Sequence, residues 1–147
     1  MPQNILQLIK YYKSNAPLIN DMARSHSGEF ETVACYLGGY DDGKNQMDGA
    51  AEKVIYKEIP KKRLYWSNWS TIKTLAAVID ENNIDLVVCQ FRRTIPIGVA
   101  AVFLSKRKPK VMAVLHGIVG GKNSFSRKLI NFFTYRRLDR IVSVSEF

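Results

Sequence analysis

The chain has 147 residues, 46% of them hydrophobic and 24% charged, which fits a single globular domain and excludes intrinsic disorder. Cys35 and Cys89 cannot form a disulfide framework or a metal site and read as reduced core thiols of a cytosolic protein. The formal charge of +9 is unevenly spread, with a net −1 over residues 1–85 and +10 over residues 86–147. Such asymmetry points to an anionic partner, whether nucleic acid, a phospholipid surface or a phosphorylated small molecule.

In chain order, short apolar runs predict strands at residues 4–9, 30–37, 53–59, 85–90, 110–115 and 140–144. The opening MPQNILQLIKYYK lacks the charged start and long apolar stretch of a signal peptide. Pro17 suits the first turn of a helix running to about Ser27. From about Asn68, Ile72, Leu75, Ala76 and Ile79 form a helical stripe that stops near Asn82 and Asn83. Residues 94–105 are apolar nearly all round, which predicts a helix buried against the sheet, and at about half of the roughly 20 residues a membrane span needs they are too short to cross a bilayer. Ser124 caps a last helix through Arg137, with Phe125, Leu129, Phe132 and Phe133 on its apolar side. The final strand runs into Ser145, Glu146 and Phe147 where another helix should begin, so the sequence is expected to be cut from a longer protein or gene.

Strands alternating with helices predict an α/β fold: a Rossmann-like, doubly wound parallel sheet of about six strands with helices on both faces. Right-handed crossovers make 3-2-1-4-5-6 the simplest strand order. Ligands of such sheets sit beyond the strand carboxyl ends, which selects the loops at residues 10–17, 90–96, 116–123 and 143–147. HGIVGGKNS fails the phosphate-loop pattern at His116 and Asn123, no GxGxxG follows the first strand, and no His/Asp/Glu cluster has metal-ligand spacing. Gln90, Arg92 and Arg93 close the fourth strand just before a helix, where two guanidinium groups suit a phosphate or carboxylate; a solvated surface pair is the alternative.

The run KVMAVLHGIVGG, a helix, and then LDRIVSVSEF resemble the N-terminal half of a GT-B glycosyltransferase of the retaining family 4. The resemblance implies that residues 1–147 are the acceptor-side domain, without the C-terminal, donor-binding domain, and inactive alone. It implies transfer of a sugar from a nucleotide sugar, with no cofactor and no metal, to a glycan or lipid-linked acceptor such as those of lipopolysaccharide or cell-envelope synthesis. His116 would be the catalytic group facing the cleft, with Gly117, Lys13, Ser14, Asn15, Ser145 and Glu146 around the donor. The loop after the first strand, however, lacks the glycine pair that many members carry there.

Lys61, Lys62, Arg63, Tyr65, Trp66 and Trp69 mix cations with aromatics ahead of a helix, as a patch on an anionic membrane would. Two readings stand for them: a peripheral contact on the inner face of the plasma membrane, or tryptophans capping the core with lysines solvating them. Two other classes compete with the transferase, a basic nucleic-acid-binding module and a flavodoxin-like domain. The basic residues do not line one recognition helix, and Lys10-Tyr11-Tyr12 stands where the second class needs acids.

Overall fold

The computed structural model describes residues 3–11, 29–39, 51–65, 67–116 and 125–144. Its strands are β1 (Gln3–Tyr11), β2 (Phe30–Gly38), β3 (Lys53–Tyr56), β4 (Leu86–Cys89), β5 (Lys110–His116) and β6 (Arg140–Val144). They form one parallel sheet in the order β3-β2-β1-β4-β5-β6, the order expected from right-handed crossovers. The helices are α1 (Trp69–Glu81), α2 (Ile95–Leu104) and α3 (Phe125–Tyr135). The steps from β3 through β6 all move in one direction across the sheet, so right-handed crossovers set these three helices on one face. The helix expected at residues 17–27 lies outside the described residues.

The central strands carry the core. Leu6, Leu8, Val87 and Cys89 pack against Leu75, Ile79, Ile97 and Ala101 of α1 and α2. Gly98 lets α2 approach β4 closely: a Cβ there would stand 2.5 Å from Cys89 Sγ and 3.3 Å from Leu8 Cδ2. Burial pushes the thiols of Cys35 and Cys89 up to about 12, which keeps both in the inert, protonated form. Neither cysteine is bonded to another.

The chemistry of the ends explains where elements stop. Asn68 Oδ1 accepts from Thr71 N at 3.1 Å at the start of α1, and Asn82 Nδ2 donates to Val78 O at 2.7 Å at its end. Asn83 follows with a φ of 51°, a conformation asparagine tolerates better than most residues. The third strand stops at Tyr56, short of the expected Ile59, because Glu58 takes a φ of 50° and turns the chain off the ladder. Ile59 N still reaches Leu37 O at 2.8 Å, so the segment stays tied to the sheet edge.

At the amino edge one arrangement recurs three times. Asp85 N donates to Asn4 O at 2.8 Å while Asp85 Oδ2 accepts from Asn4 N at 3.1 Å. Asp139 makes the same pair of bonds to Val111, at 2.8 Å each. Glu52 makes it to Thr32, with its backbone N 3.0 Å from the carbonyl and its carboxylate accepting the amide. An acid placed just before a strand thus satisfies an otherwise orphaned N–H on the neighbouring strand.

The outer layer departs from expectation. α2 was expected to be buried all round, yet Phe103 is 73% exposed; the apolar side of α3 is also open, with Phe133 63% exposed. An apolar trough of about 570 Å³ lies between the two helices.

Candidate functional site

The strand order reverses direction beside β1, and β4 leaves the sheet at its other flank, so the crevice expected of such a sheet lies beyond their carboxyl ends. β1 ends in Lys10 and Tyr11. The Tyr11 ring lies across Gly38, its register partner on β2, where an added Cβ would meet Tyr11 Cε1 at 2.7 Å. The Tyr11 hydroxyl is buried and has no hydrogen-bond partner among the described residues.

β4 leads through Gln90 into a tight turn. Thr94 N donates to Phe91 O at 2.8 Å, and the Thr94 hydroxyl donates to the same oxygen at 2.7 Å. Arg92 and Arg93 occupy the two central positions of this turn, so their backbone is fixed by a fully buried threonine. Thr94 then carries the chain into α2, whose first turn contains Pro96.

Three cations come within electrostatic reach of one another at this edge: Lys10 on β1, Lys61 after β3 and Arg93 after β4. The Lys10 ammonium is held below its usual range, first by burial and then by the positive charges of Arg93 and Lys61. Among the described residues, the two charges that act on Lys10 are of its own sign. The Tyr11 ring lies 5.9 Å from Lys10 Nζ, which offsets little of that repulsion. Lys61 opens the short 3-10 turn Lys61–Arg63, and Leu64, 3% exposed, anchors this turn to the core. A partly desolvated amine crowded by like charges favours an anion in the space between them.

The expected acceptor group therefore divides. Arg93 is exposed at the edge, and Arg92 is half-buried beside it. Gln90 does not reach an acceptor: it is fully buried, and its Nε2 donates to Gln7 Oε1. In the register Gln7 faces Val88, so Gln90 is the same-face diagonal neighbour of Gln7, and two amides in an apolar layer satisfy each other.

His116 is the last residue of β5, paired with Val144 at the carboxyl edge. Its side chain lies outside the described residues, as do Gly117, Lys13, Ser14, Asn15, Ser145, Glu146 and Trp66. Of the remaining cation-aromatic residues expected as a membrane patch, Lys61, Lys62, Arg63 and Tyr65 are exposed, and Trp69 lines the trough between α2 and α3. No group of His, Cys, Asp and Glu among the described residues could hold a metal ion.

The sequence reading selects the loop at residues 10–17 that Lys10 opens, but gives Lys10 itself no role in a site. The family profile described as Glycosyltransferase Family 4 matches residues 26–147. The chain belongs to Glycosyltransferase Family 4. The match begins after β1, so Lys10 lies outside it. A crystal structure of UDP-N-acetylglucosamine 2-epimerase superposes with a TM-score of 0.65 at 15% identity, covering 97% of this family 4 chain and 42% of that one. The likeness is one of GT-B-type fold, and the chain spans well under half of that neighbour's length. No curated protein matches the chain.

Proposed function

We propose that this chain is the acceptor side of a sugar transferase, and that its acceptor carries a phosphate or carboxylate held by Lys10, Lys61 and Arg93. The observation that carries the reading is that Lys10, at the carboxyl end of β1, is partly buried and lies within the electrostatic reach of Arg93 and Lys61. The donor is a nucleotide sugar bound largely by a second α/β domain. In the transfer, the anomeric carbon exchanges its bond to the diphosphate for one to an acceptor hydroxyl, with retention of configuration. The nucleoside diphosphate leaves, and the hydroxyl proton is lost. The contribution of the residues described here is positioning: a charged handle fixes the acceptor so that its hydroxyl meets the donor. His116, at the end of β5, is the candidate contact to the reacting sugar, and the lone chain is inactive without its donor half.

The sign of the Lys10 effect supplies the test. A base whose folded pKa is lowered opposes folding while it is charged, and this opposition fades as pH rises through the lowered value. Lys10→Gln should therefore leave stability unchanged or slightly raised, while weakening a phosphorylated glycan roughly tenfold or more. Calorimetric titration of the chain with a sugar phosphate, and with the same sugar lacking phosphate, reads the affinity. Arg93→Gln should behave alike. Equal binding of the two sugars, or equal binding by the variants, would overturn the assignment.

A further inference from the structure

A tyrosine at the edge of a core ordinarily buries its ring and keeps its hydroxyl wet. Tyr11, the last residue of β1, does the reverse. The residue is half-buried, yet its hydroxyl is buried and finds no hydrogen-bond partner among the described residues. The ring holds this place because position 38 is a glycine: an added Cβ there would stand 2.7 Å from Tyr11 Cε1 and 3.0 Å from Leu64 Cδ1. Leu64 is the firmer of the two neighbours. It is 3% exposed and closes a turn tied to α1, where Thr71 Oγ1 donates to Arg63 O at 2.9 Å. The ring is the movable partner, since it turns on two side-chain torsions at a strand end. Cations flank it: Lys10 Nζ lies 5.9 Å from its centroid, and Lys61 opens the turn that Leu64 closes.

We infer that Tyr11 is a ligand-contacting residue in a stowed position: its ring turns off Gly38 when an anion enters, and its hydroxyl then donates to an oxygen of that anion. The inference rests on the reading of this edge as a site for a phosphate or carboxylate. A buried hydroxyl without a partner costs stability, whereas a phenol donating to an anionic oxygen makes a charge-assisted bond. The ligand therefore favours the turned-out state by a difference in interaction, which is what a population shift requires. Lys10 and Tyr11 are consecutive, so one backbone segment carries both the charge that attracts the anion and the hydroxyl that bonds it.

Tyr11→Phe separates the two states. It should raise the urea midpoint of the free chain, because it removes a hydroxyl that has no partner. It should also weaken glucose 6-phosphate about tenfold in calorimetric titration, with no change toward glucose itself. Gly38→Ala should expel the ring, so that the sugar phosphate binds more tightly than to the parent, and adding Tyr11→Phe should cancel that gain. In NMR spectra of the parent, NOEs from the Tyr11 ring to Gly38 Hα and the Leu64 methyl groups should be strong in the free chain and lost at saturation. Circular dichroism checks that the variants stay folded. A lower midpoint in Tyr11→Phe would show that the hydroxyl has a partner, and NOEs that persist at saturation would show that the ring stays; either overturns the inference. Binding weakened by Lys10→Gln but not by Tyr11→Phe overturns it and leaves the anion site standing. Failure of every form to bind the sugar phosphate overturns both.

Discussion

Gly98 sets how closely α2 meets the sheet, and its replacement is the sharpest packing test the chain offers. A methyl group there points at Cys89 Sγ from 2.5 Å, and both Cys89 and Leu8, the next nearest side chain, are fully buried. Alanine is the better helix former by about 0.5–1 kcal/mol, but overpacking a core site costs about 1–3 kcal/mol. The clash should win, so Gly98→Ala is expected to lower the urea midpoint, and adding Cys89→Ala should restore part of the loss. A wild-type midpoint in the single variant would mean that α2 has slack to withdraw. The same closeness explains why a sequence reading finds the helix but not its seat. The run around Gly98 is apolar on every side, and only the strand beneath decides which side is covered.

At the scale of the element, the acids that precede β3, β4 and β6 tie neighbouring strands at their amino ends. Asp85 is the best-connected of them. The Asn4 amide, followed by the Arg107 guanidinium 2.7 Å away, holds its carboxyl below the usual range. A carboxyl that ionises more readily in the folded chain adds stability above its ordinary pKa of about 4, and that contribution is lost as pH falls through the lowered value. The ion pair is about 40% exposed, so solvent screening keeps its share small. Asp85→Asn should cost about 1 kcal/mol at pH 7 and converge with the parent once the pH lies below the lowered value, read by chemical denaturation across an acid series. A gap that persists in acid would assign the loss to packing. The strands themselves were legible, since runs such as LVVC are apolar without alternation, as central parallel strands are. The acids were not. Asp139 was noticed only as part of a family-like motif, because its bond to Val111 spans 28 residues that no local pattern connects.

Across the whole molecule, order should fall from the centre of the sheet toward β6. The strand order was readable from the crossover rule, but the openness of the far side was not. Phe132 and Phe133 have the spacing of a buried stripe, and nothing local distinguishes a core face from an open one. β1 is flanked on both sides by paired strands and holds Leu6 and Leu8 fully buried. Among the described residues β6 pairs only with β5, and its Ile141 and Val142, pointing to opposite faces, are 51% and 40% exposed. Opening β6 therefore exposes little new apolar surface, whereas opening β1 disrupts the core on both faces. Amide hydrogen exchange should reflect that difference. The β6 amides should exchange orders of magnitude faster than those of Leu6 and Leu8, with β5 between them. Uniform protection from β1 to β6 would mean that the sheet opens as one unit and that its exposed edge is as firmly held as its centre.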